Sequence, residues 1–221
     1  MKNMNYTIEM SSDPEFASAI DGIIKQFQIT SIVETGAFHG LGSTMVFAKT
    51  GLPVVSIECN QENYSIAKKN LSAYPNVNLI LSYSLKNEDM KSFIKSDDIY
   101  QQKDLDIEYD GNNDPKGFYI KELGNSAIPE NMLRHVADIP ERQIVLLDSA
   151  GGVGWPEFME FMDFSNIKNK ILVLDDVQHV KHHRSVNLLK QMGIKFNSCS
   201  TGRWGWSDFT NIIDFRNTKI W

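Results

Sequence analysis

A chain of 221 residues, 42% hydrophobic and 23% charged, is long enough for one globular domain with a large core. Its net charge of −6 argues against a nucleic-acid-binding surface, which needs a basic patch, and "VKHHR" (Val180 to Arg184) is the only notable basic stretch. Two cysteines, Cys59 and Cys199, form neither a metal spacing nor a disulfide framework. The N-terminus lacks the apolar core of a signal peptide, and no run approaches the roughly 18 apolar residues of a membrane span. A cytoplasmic protein with no membrane partner is expected.

In chain order, Asp13 to Phe27 carries Phe16, Ala17, Ile20, Ile23, Ile24 and Phe27 at helical spacing, behind the capping start "SSDPE". "SIVE" reads as a short buried strand, and Ser43 to Lys49 as a helix ended by "TGLP". Pro53 to Cys59 is a second strand. "NQENYSIAKKNLSAY" is a helix with Asn60 as its N-cap, and "NVNLILSYS" a third strand. "QIVLLDS" and "KILVLDDV" are two further apolar runs that end in acids. "IKFNSCS" and "FTNIIDF" supply the last two strands.

The interval from Lys86 to Arg142 breaks this rhythm. In "DIEYDGNNDPKGFYIKEL" two mixed-polarity runs flank a Gly/Asn/Asp/Pro cluster, a hairpin signal. "IPENMLRHVADI" reads as a helix with Pro129 near its first turn. An insertion of about 86–142 suits a lid, a binding segment, an oligomer contact or a plain solvated excursion.

Strands alternating with helices imply a parallel sheet with helices on both faces. The runs are continuously apolar, as strands buried on both faces should be. The expected fold class is α/β: a Rossmann-like, doubly wound, seven-stranded and mostly parallel sheet with an antiparallel last strand. It forms a single domain over 1–221, with the insertion after the third strand.

In such a sheet ligands bind beyond the carboxyl ends of the strands. Glu34 and Thr35 lie at the first of these ends, and Gly36 and Gly40 let the backbone approach a ligand and turn into the next helix, which begins at Ser43. Glu58, about 20 residues past the turn, suits a pair of ribose hydroxyls, since a carboxylate accepts two hydrogen bonds. A dinucleotide site would read G-x-G-x-x-G, whereas Phe38 takes the middle position here and leaves little clearance for a pyrophosphate. Glu34 suits an ammonium group instead. S-adenosylmethionine carries the ribose, the ammonium and a carboxylate, without phosphate.

On these residues the chain resembles the class I S-adenosylmethionine-dependent methyltransferases, nearest the catechol O-methyltransferase-like group. "ETGAFHGLGS" matches that group's first motif with one extra residue before Ser43. "VVSIECNQENYSIAKKNL" resembles the second, and "LILSYS" the third. The similarity runs from about residue 29 to 85 and from 143 to 190. It implies that Glu58 binds the ribose, that Cys59 packs against the adenine, and that Ser84 lies near it.

Asp148, Asp175 and Asp176 end the fourth and fifth strands on the same side as Glu34. Three converging carboxylates repel unless a cation lies between them, and hard oxygen ligands suit Mg²⁺, or else Mn²⁺ or Ca²⁺. The resemblance implies a metal on an Asp at the fourth strand and an Asp-Asn pair after the fifth. Asp148 and Asp175 match, and Asp176 replaces the Asn. Asp148 is equally placed to touch the cofactor. The family's catalytic Lys, three residues after the fourth-strand Asp, is Gly151 here. His179 is the preferred substitute base, ahead of His39. If the chain turns helical after the acid pair, His179, His182 and His183 share one face. A zinc site on H-x-x-H-H lacks cysteine support.

Trp204 and Trp206, with Trp155 and Phe158, suit either pocket walls or ordinary packing. The expected reaction is methyl transfer to an oxygen of a small molecule or sugar, and a homo-oligomer is left open. The rival readings are an NAD-dependent oxidoreductase with a degenerate glycine loop and a non-catalytic cofactor-binding subunit.

Overall fold

The computed structural model describes residues 10–101, 107–111 and 113–211. Helix α1 (Pro14–Phe27) starts where the sequence places it. The Asp13 carboxylate accepts the N–H groups of Glu15 (2.9 Å) and Phe16 (3.3 Å), and Pro14 follows at the first helical position. The chain then alternates through β1 (Ser31–Thr35), α2 (Ser43–Lys49), β2 (Val54–Glu58), α3 (Gln61–Asn70) and β3 (Val77–Leu81). Asn60 caps α3 as expected, accepting from Glu62 and Asn63.

The inserted stretch follows as α4 (Asn87–Ser96), α5 (Pro115–Leu123) and α6 (Met132–Ala137). After it come β4 (Gln143–Leu147), α7 (Gly154–Met162), β5 (Lys170–Leu174), α8 (His183–Gln191), β6 (Asn197–Ser198) and β7 (Gly205–Asp208). The sheet order is β3-β2-β1-β4-β5-β7-β6, with β1 to β5 parallel and β7 antiparallel to both its neighbours. The expected fold class is the observed one. β1, β4 and β5 are buried at every position, because helices cover both faces. One apolar cluster packs α7 and α8 on the sheet through Phe158, Phe161 and Leu189, and another packs α1 and α2 on the opposite face through Phe16, Ile20 and Phe47. Fully burying each such side chain is worth about 1.5–3 kcal/mol.

Three local expectations are corrected. The hairpin in the insertion does not form: Asp114 is a helix N-cap that accepts the Gly117 N–H at 3.0 Å, and Pro115 opens α5. The Asn/Asp/Pro cluster was a helix start rather than a turn. The insertion is no solvated excursion, since Met90, Ile94, Ile99, Ile107, Tyr119 and Leu123 join Tyr83, Val153 and Val180 in a buried cluster of their own. The antiparallel strand β7 falls on Gly205–Asp208, not on "FTNIIDF", of which residues 212–215 lie outside the described residues. Trp204 packs edge-on against Phe16 and donates its indole N–H to Asp13 (2.9 Å), and Trp206 packs on Phe27, so these tryptophans belong to the hairpin core. Among the described residues no helix is long and apolar enough to cross a membrane.

Candidate active site

The strand order reverses between β1 and β4, and the two carboxyl ends meet there without a gap. Gly36 has φ +81°, and a Cβ on it would stand 2.3 Å from the carbonyl oxygen of Asp148. Only glycine fits, for conformation and for space. Above this point lies a cleft of about 1910 Å³. That exceeds the roughly 300–1,000 Å³ of a single small-ligand pocket, so two ligands can share it.

Gly36, Phe38, Glu58, Cys59 and Ser84 line one half of the cleft. Glu58 Oε2 accepts the Phe38 N–H (2.8 Å) and Oε1 the Asn60 N–H (2.7 Å). The Cys59 backbone N–H and the Asn63 side chain also bond to this carboxylate, so a ligand hydroxyl would take the place of the Asn63 side chain. Burial raises the Glu58 pKa, while these backbone N–H groups oppose the shift. Cys59 borders the Tyr83 and Met90 cluster, an apolar slot suited to a flat base. Burial pushes its thiol up to about 12, which excludes it as a nucleophile near neutral pH.

Glu34, Thr35, Gly40 and Ser43 are not among the cleft-lining residues. Glu34 is wholly buried and accepts the hydroxyls of Ser43, Thr44 (2.6 Å) and Ser56 (2.6 Å). Those partners take the place expected for a ligand ammonium. The hydroxyl of Thr35 donates to Glu157 (2.9 Å), and Glu157 also binds Ser149 (2.7 Å) and Ser84. Glu157, on α7, was missed in the sequence because an acid inside an amphipathic helix reads as a surface residue. Phe38 is 59% exposed at φ +49° and stacks on His39, so its ring does not occupy the turn as the clearance argument assumed.

The other half of the cleft is strongly charged. Asp148, Asp176, Lys181, Arg203, His179 and Asp110 line it. Carboxylate oxygens of Asp148, Asp175 and Asp176 lie within 4.8 Å of one another, so the expected convergence is real. Two cations already occupy it. Lys181 Nζ is 2.7 Å from Asp148 Oδ1 and 3.2 Å from Asp176 Oδ2. Arg203 reaches Asp175 Oδ2 at 3.1 Å and Asp176 Oδ1 at 3.3 Å. Burial works against the Lys181 charge, but the three carboxylates outweigh it and raise the pKa. Burial likewise opposes the charge on Asp176, yet Lys181 and Arg203 bring it down to about 2.

Mg²⁺ needs near-octahedral oxygen ligands at about 2.0–2.1 Å. An ammonium seated between two of the three donors excludes that arrangement. Asp175 Oδ1 is left without a partner, but one orphan oxygen does not make a coordination shell. As folded, the donor set does not fit a divalent ion.

His179 faces the cleft, but not as part of a histidine face. The helix begins only at His183, so the three histidines separate. The buried His182 contacts the Leu147 carbonyl at 2.9 Å, while His183 pairs with Asn187. His179 Nε2 lies 3.3 Å from Asp110 Oδ2 and 3.2 Å from the Tyr119 hydroxyl, and Nδ1 accepts the Lys181 backbone N–H at 3.3 Å. Asp110 and Tyr119 come from the insertion, which thus walls this half. The hydrogen bond with His179 lowers the Asp110 pKa, keeping a half-exposed carboxylate charged in the cleft. Lys181 had a sequence signal, a base five residues after the acid pair, but it was read only as part of a basic patch.

Solved structures share this architecture at low identity. The SAH-bound methyltransferase PaMTH1 of Podospora anserina aligns with a TM-score of 0.53 at 11% identity, over 87% of this chain and 76% of that one. The cofactor-bound Rv0187 from MTB gives 0.51 at 12% identity, over 95% and 85%. No protein-family model matches the chain, and no curated protein matches its sequence. The likeness is one of fold, a Rossmann-like α/β sheet with an antiparallel strand near its end.

Proposed function

We propose that this chain transfers a methyl group from S-adenosylmethionine to a hydroxyl oxygen of a small polar acceptor, a sugar being the leading class, in the cytoplasm. The observation that carries the reading is the division of one cleft at the sheet's reversal point. One half offers Glu58 beside the apolar slot of Cys59 and Tyr83, and the other offers charged groups for an acceptor. Glu58 would take the two ribose hydroxyls, the slot the adenine, and the floor at Gly36 the sulfonium end.

The acceptor oxygen attacks the methyl carbon, the carbon–sulfur bond breaks, and sulfur leaves with the electron pair as a neutral thioether. The hydroxyl proton passes to a carboxylate oxygen of Asp110, which the Nε2–H of His179 holds in the cleft. Alignment within the cleft supplies most of the acceleration, since no covalent help from the chain is needed. No step is assigned to a divalent metal.

Calorimetry with S-adenosylhomocysteine and with NAD tests the cofactor. Binding of the first and not the second is expected, and preference for NAD would overturn the reading. Methyl transfer from labelled S-adenosylmethionine across a panel of sugars and small alcohols then tests the acceptor class.

A further inference from the structure

The carboxylate cluster beyond β4 and β5 carries its own cation. The Lys181 side chain is 7% exposed, so this is a built-in group and no surface lysine that strayed inward. Its stem passes over Gly154, where a Cβ would stand 2.3 Å from Lys181 Cγ and 2.6 Å from the Lys181 carbonyl oxygen. A larger residue at 154 would displace the lysine. Arg203, from the β6–β7 turn, closes the far side on Asp175 and Asp176. Two cations already offset most of the charge of the three carboxylates, so little drives further cation binding.

We propose that Lys181 is the resident cation of this site. Its ammonium takes the place of a divalent ion among Asp148, Asp175 and Asp176 and offers its remaining N–H to the acceptor oxygen. An ammonium has three donors, of which Asp148 and Asp176 engage two. A point charge with one free donor grips one oxygen and does not chelate a pair. The acceptor is therefore held through a single hydroxyl, and adjacent hydroxyls are not required. The acceptor half of this inference rests on the methyltransferase reading, whereas the place of the cation rests on geometry alone.

Titration of Mn²⁺ followed by electron paramagnetic resonance tests it on the full chain. The wild type should leave the free-ion signal unchanged at millimolar protein. Lys181→Met and Gly154→Ala should each gain one site per chain, at least about tenfold tighter than any wild-type binding, because Asp148 then loses its ammonium and Arg203 is left to face all three carboxylates. If Lys181→Met does not fold, Lys181→Gln is read in the same way. A stoichiometric Mn²⁺ site in the wild type, or none in any variant, overturns the proposal. Calorimetry with S-adenosylhomocysteine runs alongside: failure of the wild type to bind it would sink the methyltransferase reading while the manganese result stands. With an acceptor in hand, vicinal diols should show no advantage over isolated hydroxyls, and turnover should persist in chelator.

Discussion

Gly151 and His179 share one volume: a methyl group at position 151 would stand 2.4 Å from Cε1 of the imidazole and 2.8 Å from Cε1 of Tyr119. The ring can sit beside Asp110 and Tyr119 only because residue 151 has no side chain. Gly151→Ala should push the ring out of line and lower kcat by about 100-fold, with S-adenosylhomocysteine affinity kept within a few-fold. Steady-state kinetics and calorimetry on the same preparation separate the two effects. An unchanged kcat would remove His179 from the chemistry.

The two acids near the glycine turn should respond differently to substitution. Glu58→Ala removes the acceptor proposed for the ribose hydroxyls and strands the backbone N–H groups of Phe38, Cys59 and Asn60. A fall in S-adenosylhomocysteine affinity of about 10- to 100-fold is expected. Glu34→Ala leaves three buried hydroxyls without their acceptor and should cost about 2–4 kcal/mol of stability. At a temperature where that variant is still folded, its affinity should fall far less than that of Glu58→Ala. Equal losses of affinity would show that Glu34 touches the ligand.

Acid should destabilise the fold partly through His182. Burial pushes this imidazole down to about 3 from 6.5, against the Leu147 carbonyl and the Ser185 hydroxyl, with the Lys181 ammonium and Asp176 near it. Between those two values the unfolded chain binds one more proton than the folded one, so stability drops as pH falls below about 6.5. Glu34, Glu58 and Glu157 pull the other way, because burial raises them and the folded state holds their protons. Comparison with His182→Gln isolates the histidine. From pH 7.5 to 5.0 the wild type should lose about 2 kcal/mol more than the variant in urea unfolding. Parallel pH profiles would contradict the assignment.

Lys170 opens β5 at its amino end, away from the carboxyl ends that border the cleft. Its ammonium donates to the carbonyls of Ile139 (2.7 Å) and Glu141 (2.9 Å) and to the Gln143 side chain (2.6 Å). Lys170→Met should cost about 3–5 kcal/mol, since it strands three acceptors, one of them buried with the lysine. A thermal or denaturant midpoint near that of the wild type would show that water satisfies them.

Much of the fold was legible in the sequence, because continuous apolar runs ending in Glu34, Glu58, Asp148 and Asp175 announce buried parallel strands. The α5 start was misread because Asp-Pro opens helices and turns alike, and only the packing of Tyr119 and Leu123 decides between them. In the site, periodicity placed the acids at strand ends but could not tell which way each side chain turned. Glu34 faces inward onto three hydroxyls, and Glu58 faces the cleft. Long side chains from distant segments were the hardest to foresee. Lys181 and Arg203 meet at Asp176 from separate loops, a juxtaposition set by topology and not by local spacing.

The backbone of Glu108 pairs with the chain at His179 as an isolated parallel bridge. Its N–H bonds to the Gln178 carbonyl (3.3 Å), and its own carbonyl accepts from Val180 (3.0 Å). The inserted segment is thereby stitched to the very loop that bears the imidazole. Grafting that segment onto another scaffold without its matching loop would unpick the seam and free the ring to tilt, so the two strips of chain behave as one unit.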